Sequence, residues 1–189
     1  MEAIDQKTIG KYQIEIIPDD DPMNPRTDYC DPLGSMICFH RRYSLGDKHN
    51  FEDPDEAREF LKDKGIAIVL PLYLYDHSGI TMSVNPFSCP WDSGQVGWIY
   101  ITKEEIRQEY HCKRISKKMI EQVKGYLIND VITYDQYLTG DVYGFRITDT
   151  ETDEEIESCW GIYGEEYCMS EAESVVNNII KKEAIISRE

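Results

Sequence analysis

No stretch of about 18 apolar residues occurs in the 189-residue chain, which excludes an α-helical membrane span. The longest apolar run, residues 66–75, contains Pro71 and stops at Asp76, the length of a strand. Residues 1–11 have no apolar core of the kind a secretory signal needs. Phosphate-binding glycine loops are missing in both common forms, GxGxxG and GxxxxGK[ST]. No CxxC, HxxxH or HExxH spacing occurs, so no metal site is implied by pattern and no cofactor is expected. Internal repeats and long linkers are absent too.

Basic residues are scarce relative to acidic ones. Lys and Arg total 20 against 36 Asp and Glu, a formal net charge of −16. Such a chain repels nucleic acids and anionic membranes at long range and attracts basic partners. Cysteine is modest at six residues, too few for a disulfide scaffold at this length. The expectation is reduced thiols in a cytoplasm, most of them buried as small apolar side chains.

The apolar fraction of 41% and aromatic fraction of 11% are those of a folded chain. One α+β domain over 1–189 is expected, with 1–10 and 183–189 frayed. The Pro- and Asp-rich segment 18–34 reads as a surface loop between strands at 11–17 and 35–42. Asp53-Pro54 starts a helix as N-cap and first position, with a stripe of Ala57, Phe60 and Leu61. Strands follow at 66–75, 80–84 and 96–101, with a tight turn at 76–79 and an irregular loop at 85–95.

Thr102 and Glu105 form a capping-box pattern for a helix through Tyr110. Ser116 opens a longer helix whose stripe is Ile120, Val123, Leu127, Val131, Tyr134 and Leu138. A hairpin at 141–148 and 156–163 and a last helix at 170–182 complete the chain. Helices do not alternate with strands, so the pattern predicts a mainly antiparallel sheet with hairpins, packed against three to four helices.

The charge is uneven along the sequence. Residues 121–174 hold 14 acidic side chains and two basic ones, Lys124 and Arg146. Residues 103–118 hold six basic against three acidic. The acidic third is either a solvated turn and helix start or a face that docks on a basic groove. Its partner-binding candidates are Asp149, Asp153, Glu154, Glu155 and Glu157, with Trp91 as an aromatic contact.

Two other chemistries are open. Asp76, His77, Cys89 and Asp92 supply the groups of a small hydrolytic or nuclease-like site if they share a cleft. Cys38 and His40 fall two apart, and with His77, Cys89 and Cys159 they are the metal-capable side chains. Arg41, Arg42, Lys113, Arg114, Lys117 and Lys118 form the basic positions of an alternative nucleic-acid-binding reading.

Five strings add a resemblance: ICFHRRYSLGD (37–47), LPLYLYDHSGI (70–80), CPWDSGQVG (89–97), YDQYLTGDVYG (134–144) and SCWG (158–161). Over residues 35–164 the chain resembles a family of small proteins carried by phages, plasmids and integrated elements. Some members are similar to anti-CRISPR proteins that inhibit Cas9. The resemblance implies an anti-defence inhibitor in a bacterial host cytoplasm, with a nuclease or CRISPR effector as partner, and carries no catalytic residues. Effectors of that type hold nucleic acid in positively charged channels, which an acidic protein complements.

Overall fold

A computed structural model describes residues 2–28 and 32–186 of the chain. Two four-stranded sheets form, both wholly antiparallel, one with a single α-helix and the other with three, each with an apolar core of its own. The fold is therefore α+β with mainly antiparallel sheet, as the hairpin-rich pattern predicts. Two compact units carry it: residues 1–23 with 140–189, and residues 24–139. A reading of the whole chain as one domain does not distinguish these two cores. No helix among the described residues is long and apolar enough to cross a membrane.

The unit made from the two chain ends contains β1 (Asp5–Ile9), β2 (Tyr12–Pro18), β7 (Val142–Asp149), β8 (Glu154–Tyr163) and α4 (Glu165–Ile186). Its strand order is β1-β2-β7-β8. Alternation in β2 sends Tyr12, Ile14 and Ile16 to one face, where they meet Phe145 and Ile147 of β7. Cys168, Ala172 and Val176 of α4, spaced by four, close this core. Residues 1–10, expected to fray, instead include β1, which pairs with β2 over five residues. All but one of its side chains are exposed, so no apolar alternation marks it in the sequence.

The unit over 24–139 contains β3 (Ser35–Cys38), α1 (Pro54–Phe60), β4 (Ile66–Asp76), β5 (Ile80–Ser83), β6 (Ser93–Thr102), α2 (Lys103–Glu109) and α3 (Lys117–Thr139). Its strand order is β3-β6-β4-β5. One sheet face packs Met36, Leu72, Leu74, Ile99 and Ile101 with Val123, Leu127, Val131 and Tyr134 of α3. Each large side chain buried this way contributes on the order of 1.5–3 kcal/mol. On the opposite face, Phe60 of α1 meets Tyr100 edge-on and Arg58 lies over the Trp98 ring.

The local start signals act as the sequence predicts. The Asp53 carboxylate accepts from the backbone N–H groups of Asp55 and Glu56. Thr102 and Glu105 form a complete capping box. Where β3 and β6 pair, a Cβ on Gly97 would sit 1.9 Å from the Ile37 carbonyl oxygen, so only glycine permits the register.

Leu127→Ala is expected to cost about 2–5 kcal/mol in denaturant unfolding, because Leu127 is fully buried. Ile132→Ala, on the exposed side of the same helix, is expected to change stability by less than about 0.5 kcal/mol.

Candidate functional site

Electrostatics separates the two units more sharply than the sequence order suggests. Residues 1–23 and 140–189 together hold nineteen acidic and six basic side chains, a net −13 of the chain's −16. Residues 24–139 hold seventeen acidic and fourteen basic, a net −3. Strand pairing is the cause. The β1–β2 hairpin brings Asp5, Glu15 and the run Asp19-Asp20-Asp21 into the same unit as the acidic C-terminal third.

Within that unit three of the six cations, Lys7, Lys11 and Arg146, are engaged in ion pairs. Lys7 pairs with Glu173 at 2.7 Å. Lys11 bridges Asp149 at 2.9 Å and Glu183 at 3.2 Å. Arg146 grips Glu15 through Nε and Nη2. No described cation lies within ion-pair distance of Asp153, Glu154, Glu155 or Glu157.

These four acids sit at the end of the β7–β8 hairpin and are all exposed. Asp153 takes a left-handed backbone (φ 60°) and donates its N–H to the Asp149 carbonyl, closing the turn. A register shift in the ladder sets Glu155 opposite Thr148 and Glu157 opposite Ile147. Side chains of Thr148 and Ile147 leave opposite faces of β7. The hairpin end is therefore negative on both faces, and its carboxylates do not form one row.

Asp149 departs from the expected exposed set. It is 4% exposed and its carboxylate accepts from Lys11 and from the Glu151 N–H. The Lys11 hydrogen bond, followed by the backbone donors, holds its carboxyl below the ordinary value of 3.8. Its place is inside the turn, as a post that orders the acids around it.

Trp91 is 91% exposed. It stands beside the convergence of loops that carries the other expected site. His77 Nδ1 lies 3.1 Å from Asp92 Oδ2, and the Cys89 thiol lies 3.8 Å from the same oxygen. Three of the four candidate catalytic side chains thus meet. The fourth, Asp76, contributes its N–H to the Asp92 carbonyl but turns its carboxylate to Arg42 and Tyr43.

The order of groups is thiol, carboxylate, imidazole. A nucleophilic relay needs the imidazole between the other two, so that it takes the thiol proton. His77 is also largely open to solvent, with its side chain 63% exposed. The arrangement ties the 76–79 turn to the 89–92 loop, and it supplies no activated nucleophile.

Cys38 and His40 do not share a strand face, because β3 ends at Cys38. Among the described residues no group of three or more His, Cys, Asp or Glu side chains is placed to hold a metal ion. Cys38, Cys89, Cys112, Cys159 and Cys168 are free thiols, and Cys30 lies outside the described residues. Burial pushes the thiols of Cys38 and Cys168 up to about 12. Cys159 is exposed.

The basic shoulder divides. Lys113 and Arg114 lie in the link between α2 and α3, and Lys117 and Lys118 occupy the first turn of α3; all four are exposed. Arg41 and Arg42 lie in the loop after β3, where Arg42 is already paired with Asp76.

Sequence reasoning missed one buried cluster. Arg26 donates from Nε and Nη2 to both oxygens of Asp47, at 2.8 and 2.6 Å, and from Nη2 to the Gly34 carbonyl. Asp130 lies 3.6 Å from its Nη1. Burial pushes the Asp130 carboxyl up, and the Arg26 charge opposes that shift. Arg26 is the sole basic residue in the acid-rich segment 18–34, a signal that could have marked it.

Set against family models, curated proteins and solved structures, the chain matches none of them.

Two measurements check this placement. A carboxyl held low in the fold adds stability that is complete above its ordinary pKa and is lost as pH falls through the lowered value. Asp149→Asn should therefore lower the melting temperature at pH 7, and the gap to the parent protein should close as pH falls below 3.8. In the native protein at pH 8, iodoacetamide should modify Cys159 at least about tenfold faster than Cys38 or Cys168.

Proposed function

We propose that this chain is a non-enzymatic anti-defence inhibitor that acts in the cytoplasm of a bacterial host. It binds a nucleic-acid-handling effector of the Cas9 type through the acidic end of the β7–β8 hairpin. The observation that carries this reading is the net −13 on the unit of residues 1–23 and 140–189, with Asp153, Glu154, Glu155 and Glu157 exposed at one end of it and no described cation within ion-pair distance. The resemblance to proteins of mobile elements points the same way.

The physical basis is polyanion competition. A channel built to neutralise phosphates presents clustered Lys and Arg side chains, and nucleic-acid binding there draws much of its strength from counterion release. A compact negative hairpin entering that channel gains the same attraction and denies the space to nucleic acid. Negativity on both hairpin faces suits insertion into a channel better than lying along a flat basic surface. Asp149 and Lys11 hold the turn in shape, so little ordering remains to oppose binding.

The test uses a purified Cas9-type effector with its guide RNA, assayed for DNA cleavage and for binding of this chain. Cleavage should fall on addition of the protein, and affinity should weaken steeply between about 50 and 500 mM salt. Replacing Asp153, Glu154, Glu155 and Glu157 together by lysine should weaken binding by at least about tenfold. Inhibition that survives this reversal at unchanged strength would overturn the reading.

A further inference from the structure

The loop between β3 and α1, residues 39–53, has no helix or strand of its own. Fifteen residues is long for an irregular connection inside a compact unit, and such loops are commonly functional. This one is pinned. Gly46 holds a left-handed backbone (φ 68°), and a Cβ there would meet the Met36 carbonyl oxygen at 2.6 Å. Its N–H donates to the Tyr134 hydroxyl at 2.9 Å. The Asp47 N–H donates to the Met36 carbonyl, and the Asp47 carboxylate accepts from the Met36 N–H and from Arg26. His49 Nε2 lies 3.0 Å from the Cys38 carbonyl oxygen.

Beside the end of β3 this loop lines a largely open cavity of about 900 Å³, a volume in the range of small-molecule sites. Its lining is unlike the rest of this acidic chain. Arg41 and Lys48 line it and form no ion pair with a described residue. Its one carboxylate, Asp47, is already neutralised by the two-pronged Arg26 contact. Two aromatic pairs line it: His40 stacks on Tyr43 at 5.0 Å and 9°, and Phe39 meets His49 tilted, at 4.8 Å and 54°.

We infer that this cavity binds a phosphorylated, ring-bearing small molecule of mononucleotide size. Arg41 and Lys48 meet the phosphate, and the His40–Tyr43 plate stacks on the ring. Cations suited to phosphate, beside a stacked aromatic pair that already takes the Arg42 guanidinium over its Tyr43 ring at 5.5 Å, are the two features such a ligand needs. The fixed loop means the walls stand before the ligand arrives. This site uses none of the hairpin's residues, so it stands or falls independently of the proposed inhibition.

The test is calorimetric titration of the full chain with the four 5′-mononucleotides, the matching nucleosides, inorganic phosphate and a short single-stranded oligonucleotide. At least one mononucleotide should bind about tenfold or more tightly than its nucleoside and than phosphate. Arg41→Ala with Lys48→Ala should abolish that preference without changing the melting temperature, since both side chains are exposed. Tyr43→Leu should weaken the mononucleotide and leave phosphate unchanged. Absence of mononucleotide binding at millimolar concentration overturns the inference. So does phosphate binding as tightly as the mononucleotide, or binding confined to the oligonucleotide.

Discussion

Antiparallel pairing of β2 with β7 is the contact on which the electrostatic character of the molecule depends. It joins the first 23 residues to the last 50 and so gathers acids from both chain ends into one small unit. Nineteen carboxylates with six cations repel one another, and self-repulsion of this kind weakens a compact state. The core of Tyr12, Ile14, Ile16, Phe145 and Ile147 under α4 must outweigh it. The ion pairs sit where strands and helix join: Lys7 to α4, Lys11 to the β7 end and α4, and Arg146 across β2 and β7. These three cations hold elements together, and none of them pairs with Asp153, Glu154, Glu155 or Glu157.

The β8 strand adds a second consequence. It is an edge strand with one side unpaired, the usual template for unwanted sheet extension. Glu154, Glu155 and Glu157 along its first half oppose the approach of another strand edge of like charge. The same carboxylates that protect the edge also make it attractive to a basic partner.

Helix and strand positions were largely legible from residues. The Asp53-Pro54 and Thr102–Glu105 caps, the α3 stripe and the β7–β8 hairpin all lie where local pattern places them. What escaped depends on distant partners. β1 has no apolar face and exists because β2 offers it a ladder. Phe60, read as core, is 40% exposed and faces the ring of Tyr100. The acids of the C-terminal third could be counted in sequence, but not the burial of Asp149 or its bond to Lys11, nor the joining of the Asp19-Asp20-Asp21 run to the same unit. His77, Cys89 and Asp92 did converge, yet the order of their groups, which decides what they can do chemically, is a property of coordinates alone.

For the proposed binding to a Cas9-type effector, hydrogen exchange on a mixture of the two proteins measures most directly whether the charged hairpin is the docking element. Amides of residues 150–157, around the β7–β8 turn, should exchange several-fold more slowly in the complex than in the free protein, and the protection should fade as salt is raised. Unchanged exchange at this turn, with protection appearing only within residues 24–139, would contradict the account.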